Sequence, residues 1–312
     1  MRDAVVIIGS GLMGSGIAAR SSLAKNKTIL VNPNIAHAEE GLIRAKIHIK
    51  ELEDNKLATA DAAAEAINLL SCSDNLEHSL PSARLVVEAI VENLSQKQEL
   101  FYRLDQMLPA EVPIVSNTSG LRITDIAANM INPERAVTGH FWFPAHIVPL
   151  VEVVAGDRSG MEVVRNVFNE FKNWGKEPVL VKKDLPGQLA NRILQAIIRE
   201  AVNIVAMDLA SPEDVDRAVK MGMGIRFPVW GPLEHIDAVG LDLCTSVQDT
   251  VLPEISNSRE AHEYIRRLVE KRELGYKTGK GIYDWSVKDM QALQAARNEF
   301  IIYALKKLQS RC

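Results

Sequence analysis

The chain has 312 residues, 47% of them hydrophobic, and its 36 basic and 40 acidic residues leave a formal net charge of -4. Charges so nearly balanced and interspersed argue against a nucleic-acid or polyanion-binding surface, and no apolar run reaches the ~20 residues that cross a bilayer. This length and apolar content fit two ordinary cores better than one large one. Cys72, Cys244 and Cys312 are odd in number, far apart and without metal-ligand spacing, so they read as free thiols in a reducing compartment. Neither a metal nor a catalytic cysteine is expected. The first residues run directly into a strand, leaving no room for a signal peptide, so a cytoplasmic location is expected. There is no internal repeat.

Ala4-Val5-Val6-Ile7-Ile8 is a continuous apolar run, as a parallel strand buried on both faces requires. Gly9-Ser10-Gly11-Leu12-Met13-Gly14 follows, then a helical stretch over Ser15–Ala24 and a second strand, Thr28–Val31, ending at Asn32. G-x-G-x-x-G between a buried strand and a helix points to a dinucleotide pyrophosphate at the helix N-terminus, held by Gly9, Gly11, Leu12, Met13 and Gly14. Asn32 occupies the place where a carboxylate usually holds the adenosine ribose. Its amide can still bind a ribose hydroxyl, which favours NAD, but it cannot repel a 2′-phosphate, which leaves NADP open.

About fifty residues separate Asn32 from the next strand, Arg84–Ile90, too many for a simple crossover. Helices over Ala36–Leu52 and Ala60–Leu70, the second capped by Thr59, suggest a hairpin projecting from the sheet, either a lid or structural padding. A helix from Glu92 to about Leu108 carries Ser95 and Gln98 at capping-box spacing. Pro113–Ser116 reads as a strand ending in Asn117-Thr118-Ser119-Gly120, a polar tetrad at the carboxyl end of a strand, where open parallel sheets bind ligands. A short helix is expected over Thr124–Met130.

Two apolar runs follow, Ala136–Thr138 and Leu150–Val154. The first delivers His140 into an aromatic loop. The second contains Glu152, a carboxylate that is costly in such a run unless something neutralises it. A histidine held by a glutamate is what an enzyme needs to take a proton from an alcohol near neutral pH. The alternative is a glutamate on a solvent face and a satisfied core histidine. A helix over Met161–Trp174 and a strand over Pro178–Val181 complete an α/β domain at residues 1–182.

Residues 183–312 show helical periodicity only. Gln188–Leu209 is apolar almost all round and is therefore expected to be buried, with Gln188, Asn191 and Gln195 as a polar stripe. Helices are expected over about Pro212–Met221, Gly231–Val251, Ser258–Arg272 and Val287–Leu308, with a glycine-punctuated loop at Gly275–Trp285. So much apolar helix surface suggests a homodimerisation unit.

In order along the chain stand the glycine loop, Val87-Glu88-Ala89-Ile90-Val91-Glu92-Asn93-Leu94, Ser116–Ser119, Gly139-His140-Phe141 with Glu152 twelve residues on, and Pro186-Gly187 with Asn191-Arg192. Gly231-Pro232, Asp237, Val239-Gly240-Leu241-Asp242 and Lys277-Thr278-Gly279 follow. In these motifs the chain resembles the L-3-hydroxyacyl-CoA dehydrogenase family over nearly its whole length. The resemblance implies a Rossmann-type doubly wound sheet with a helical-hairpin insertion, then an all-α domain. It implies oxidation of a 3-hydroxyl to a ketone with hydride transfer to NAD, His140 as general base, Glu152 as its orienting partner, and Ser119 and Asn191 on the reacting oxygen. Asn117, Glu92, Lys97 and Lys277 would serve the cofactor.

Three features depart from the family pattern. Phe143 replaces an asparagine, Gln188 replaces an aromatic after Pro-Gly, and Ala45–Lys50 gives no clear register for the coenzyme A contacts. Ile147–Glu152 is closer in style to the branch containing gulonate, carnitine and pyridine-alcohol dehydrogenases. The expected substrate is thus a short acyl-CoA or a small hydroxy acid, with a non-CoA alcohol as the alternative. Arg226 could clamp a substrate carboxylate bidentately or serve a surface salt bridge. A non-catalytic NAD(H)-binding protein is the reading from another functional class.

Overall fold

The alternation of apolar strands with amphipathic helices builds one sheet with helices on both faces. The computed structural model describes residues 2–309. The chain folds as two compact units, Met1–Asn191 and Arg192–Cys312.

In the first unit, β1 (Ala4–Ile8), α1 (Leu12–Leu23), β2 (Lys27–Val31), α2 (Ile35–Asp54), α3 (Ala60–Asn68), β3 (Leu70–Ser73) and α4 (Leu76–Ser79) come first. Next are β4 (Ala83–Glu88), α5 (Leu94–Met107), β5 (Ile114–Ser116) and α6 (Ile123–Ile126). Then follow β6 (Ala136–Phe141), β7 (Leu150–Ala155), α7 (Met161–Asn173), β8 (Glu177–Val181) and the start of α8 (Ala190–Ala206). The eight strands lie in the order β3-β2-β1-β4-β5-β6-β7-β8. All neighbours are parallel except β6 and β7, which form an antiparallel pair. The side-chain period of two sends Val5 and Ile7 into one core and Val6 and Ile8 into the other, so both faces of the sheet are covered.

Four sequence expectations change here. Leu70, expected to end a helix, opens strand β3, which pairs with β2. The two helices before it form the expected helical hairpin, packed against the domain rather than projecting from it. Ala38, Ala45 and Ile49 of α2 are fully buried, and Ala45 and Ile49 share one core with Ile17 and Ala18 of α1, because α2 carries a continuous small and aliphatic stripe that needs cover. The cap of α5 is Asn93, whose Oδ1 accepts from the Gln96 amide at 3.1 Å and from the Ser95 hydroxyl at 2.8 Å, so Ser95 supports the cap rather than forming it. The helix expected over Thr124–Met130 shortens to α6. Thr59 caps α3 as expected, at 3.2 Å from the Ala62 amide.

The second unit contains the rest of α8, α9 (Pro212–Ala218) running into a π-helical segment at Val219–Gly224, α10 (Pro232–Val239), α11 (Leu241–Val251), α12 (Glu263–Glu270) and α13 (Met290–Gln309). The single helix expected over Gly231–Val251 is broken by Gly240. Its φ of 104° is a left-handed value, and a Cβ there would lie 2.7 Å from Asp242 Oδ1. α8 is not buried in this chain: none of its residues is, and Ile193 is 51% exposed. α8 is amphipathic rather than apolar all round, with Arg192, Gln195, Arg199 and Asn203 along one stripe, and its apolar face stays partly exposed, with Leu194 at 37% and Ile198 at 41%. Cys72 and Cys244 are free thiols; Cys312 lies outside the described residues. Among the described residues no helix is long and apolar enough to cross a membrane.

Candidate active site

His140 is the fifth residue of β6, not the first residue of a loop, and its cross-strand partner in the β6–β7 register is Glu152. Directly opposed residues of an antiparallel pair share a face, so the ladder itself brings the two side chains together. His140 Nδ1 lies 2.7 Å from Glu152 Oε2. The indole Nε1 of Trp142 donates to the same oxygen at 2.9 Å. The other oxygen, Oε1, accepts from the backbone amides of Leu189 (2.8 Å) and Ala190 (2.7 Å). These two amides are among the donors that a helix start leaves unsatisfied, so Glu152 also anchors the first turn of α8. Glu152 is fully buried. Burial pushes its pKa up, but the bonds from His140, Trp142 and the two amides outweigh it and bring the value down to about 2.

The anchored helix start places Asn191, whose Nδ2 donates to the Ser119 carbonyl at 3.4 Å. Just before it, Gln188 is buried and donates from Nε2 to the Thr118 carbonyl at 3.2 Å, while its Oε1 has no hydrogen-bond partner. The tetrad beyond β5 is organised by Glu92, whose Oε1 accepts from the Thr118 hydroxyl (2.6 Å) and from the amides of Ser119 (3.0 Å) and Gly120 (2.9 Å). Partial burial raises the Glu92 pKa, and these bonds with nearby Lys97 lower it further than burial raises it. Asn117 Oδ1 accepts from the Phe141 amide at 2.8 Å, tying the tetrad to β6. Lys97 is buried, with its ammonium 2.5 Å from Glu88 Oε1 and 3.5 Å from Glu92 Oε2. Ser116 donates to the other Glu88 oxygen at 2.6 Å. His140, Glu152, Ser119 and Asn191 thus belong to one compact unit, supported by Glu92, Asn117 and Lys97. Arg226 and Lys277 lie in the second unit, both exposed.

The glycine turn fits a pyrophosphate. A Cβ on Gly14 would fall 1.8 Å from the Gly9 carbonyl, and one on Gly9 would fall 2.4 Å from the Ala89 carbonyl, so both positions need glycine for packing. A Cβ on Gly11 would meet nothing within 4 Å. That open space lies at the start of α1, where Gly11 provides no side-chain cap. Free amides and a positive helix end at an open position are what an anion requires. Beside them a cavity of about 730 Å³ runs past Gly9, Gly11, Asn32 and Val91. NAD fits this turn and cavity: Gly9, Gly11, Leu12, Met13 and Gly14 would hold it, with Asn32 on the cavity wall.

Sequence reasoning missed several of these groups. Glu88 ends an apolar strand, the same anomaly that exposed Glu152, and could have been found by it. Trp142 carries no pattern that would mark it as a donor to Glu152. A cluster of His48, Glu51 and His146 was also missed. His146 Nε2 lies 2.8 Å from Glu51 Oε2, and the two imidazoles stack with centroids 3.8 Å apart. Although three potential ligand atoms are close, ring planes only 18° apart do not aim two in-plane lone pairs at one ion. With Lys176, which donates to the carbonyls of Ala145 and Val148 (2.8 Å to the latter), the cluster clamps the loop between β6 and β7. Burial holds the Lys176 pKa well below its ordinary value and lowers that of His146.

Residues 4–185 match the model of the 3-hydroxyacyl-CoA dehydrogenase NAD binding domain, and residues 187–285 match that of the 3-hydroxyacyl-CoA dehydrogenase C-terminal domain. The chain belongs to the 3-hydroxyacyl-CoA dehydrogenase family. Its members are NAD-dependent oxidoreductases with the Rossmann-type domain and helical C-terminal domain found here, and NAD is the cofactor. Within the family, the chain is 32% identical over 307 residues, 98% of both chains, to the 5-formyl-3-hydroxy-2-methylpyridine 4-carboxylate 5-dehydrogenase of Mesorhizobium japonicum. It is 35% identical to a probable 3-hydroxybutyryl-CoA dehydrogenase of Bacillus subtilis, over 91% of this chain and 98% of that one. A crystal structure of a 5-formyl-3-hydroxy-2-methylpyridine 4-carboxylic acid 5-dehydrogenase superposes with a TM-score of 0.92 at 30% identity, covering 99% of both chains. The (S)-3-hydroxybutyryl-CoA dehydrogenase of Ralstonia eutropha gives 0.75 at 30% identity, covering 91% of this chain and 99% of that one.

Proposed function

We propose that this family member oxidises the hydroxyl-bearing carbon of a small, non-CoA hydroxy compound to a carbonyl, and runs the reverse reduction, with His140 as general base. The observation that carries the base is the saturated Glu152 carboxylate. An ionised carboxylate only accepts hydrogen bonds, so His140 Nδ1 carries the proton. The neutral ring then offers its Nε2 lone pair to the substrate hydroxyl, and Glu152 stabilises the imidazolium that forms. Ser119 and Asn191 hold the reacting oxygen. NAD, when bound, supplies the hydride acceptor. Arg226 and Lys277 are proposed from sequence alone, for a substrate carboxylate and for the cofactor.

Three things favour a substrate without coenzyme A. The pyridine-carboxylate dehydrogenase matches end to end, with the higher TM-score of the two enzymes compared. Ile147–Glu152 has the style of the non-CoA branch. Phe143, 44% exposed beside the dyad loop, offers an aromatic surface where the family has an amide. The second reading, a short 3-hydroxyacyl-CoA, is favoured by the 35% identity to the Bacillus enzyme. An NADH-consumption screen of acetoacetyl-CoA, free 3-oxo acids and aromatic aldehydes separates them. Saturable activity with the thioester alone discards the non-CoA substrate. NADH binding without turnover of any of them returns the chain to a non-catalytic cofactor-binding role.

We also infer a homodimer formed through the helical unit. Ile302 is the single buried hydrophobic residue there among those described, and Ile193, Leu241, Leu243 and Val247 are more than half exposed.

A further inference from the structure

Asn32 occupies the place where a carboxylate would grip the adenosine ribose and exclude a 2′-phosphate, and its side-chain amide is already engaged. Nδ2 donates to the Ser10 hydroxyl at 3.0 Å, and Oδ1 accepts from the Asn34 backbone amide at 3.0 Å. The chain places carboxylates on the same cavity by another route. β3 lies beside β2 in parallel register, with Ser73 opposite Val31, and the Asn32 backbone N–H donates to the Ser73 carbonyl at 3.1 Å. The residues that follow β3 therefore arrive next to Asn32. Asp74 and Glu77 line the cavity of about 730 Å³, and Glu99 of α5 joins them. Arg103 is the one cation on this wall, and its guanidinium lies 3.9 Å from Glu77. Three carboxylates against one guanidinium leave the wall with a formal charge of -2. Asp74 is exposed and makes no hydrogen bond or ion pair among the described residues, so its charge is not neutralised within the chain.

We propose that Asp74 and Glu77, delivered by the end of β3, make this chain select NAD over NADP in place of the missing carboxylate at Asn32. The inference rests on the dinucleotide reading of this cleft and goes beyond it in assigning the discrimination. A 2′-phosphate adds about two negative charges to a wall that is already negative. Asp74 repels it directly. Glu77 acts mainly by holding Arg103, which is otherwise the bidentate partner such a phosphate would seek. The 2′-hydroxyl of NAD carries no charge and meets no such penalty.

The test is a fluorescence titration of the full chain with NADH and with NADPH, for wild type, Asp74→Asn/Glu77→Gln and Asn32→Ala. The Glu77 side chain is 68% exposed and Asp74 is exposed, so the isosteric amides leave the fold intact, which thermal melting verifies. Wild type is expected to bind NADH at least about tenfold more tightly than NADPH, and the double variant to bind NADPH about tenfold more tightly than wild type does, with NADH changed less than about threefold. Asn32→Ala is expected to keep the preference. The proposal is overturned by a wild type that does not discriminate, by a double variant whose NADPH affinity is unchanged, or by loss of the preference in Asn32→Ala. A wild type that binds neither nucleotide overturns the dinucleotide reading itself, and this inference with it.

Discussion

A buried carboxylate with four hydrogen-bond donors around it has a measurable acid signature. The Glu152 pKa falls from an ordinary 4.5 to about 2 in the folded chain, so its contribution to stability is fully present above about pH 4.5 and is lost as pH falls through about 2. The shift corresponds to on the order of 3 kcal/mol. Glu152→Gln should therefore lower the urea midpoint at pH 6 and flatten its dependence between pH 4.5 and 2.5. A variant with the wild-type slope would assign the acid sensitivity to other groups. His140→Ala tests the base: turnover should fall by roughly 10²–10⁴-fold with NADH binding unchanged, and residual activity above about a tenth would remove His140 from that role. Both residues were legible in the sequence, because Glu152 breaks the rule that apolar strands contain no charge. Trp142 was not. Whether an indole N–H meets a carboxylate depends on where a loop folds back, which neighbouring residue types do not encode.

The elements were legible in proportion to their regularity. β1, the glycine turn and α1 form a continuous apolar run, a turn and a helix, and the structure reproduces them within a few residues. The turn makes a paired prediction. Gly14→Ala places a methyl 1.8 Å from the Gly9 carbonyl and should destabilise the chain by about 1–3 kcal/mol. Gly11→Val points into open space, so it should keep stability within about 0.5 kcal/mol while weakening NADH roughly tenfold or more. Melting temperature and NADH titration read the two effects separately; equal stability losses in both variants would mean that the turn is merely packed, not open for an anion. β3 escaped the sequence because Leu70–Ser73 is short and polar on one side, and only its pairing with β2 makes it a strand. Asp74 and Glu77 went unseen with it.

For the whole molecule, the division into a sheet-bearing part and a helical part follows from where strand-like runs stop. The burial of α8 did not follow. An apolar face says that a helix must be covered, but not by which chain. Sedimentation velocity should show a dimer, and a stable monomer at micromolar concentration would remove the covering partner proposed for α8 and α11. The antiparallel turn-back between β6 and β7 has a last consequence for how such a molecule diversifies. The distance between His140 and Glu152 is set by ladder register, which a one-residue slip would destroy but a rebuilt connection would not. The exposed part of the segment joining the two strands, Phe143 included, can thus be recast for new substrates while the His140–Glu152 pair, with Trp142 on the same carboxylate, keeps its spacing. Substrate preference and chemistry are therefore free to evolve at different rates in this architecture.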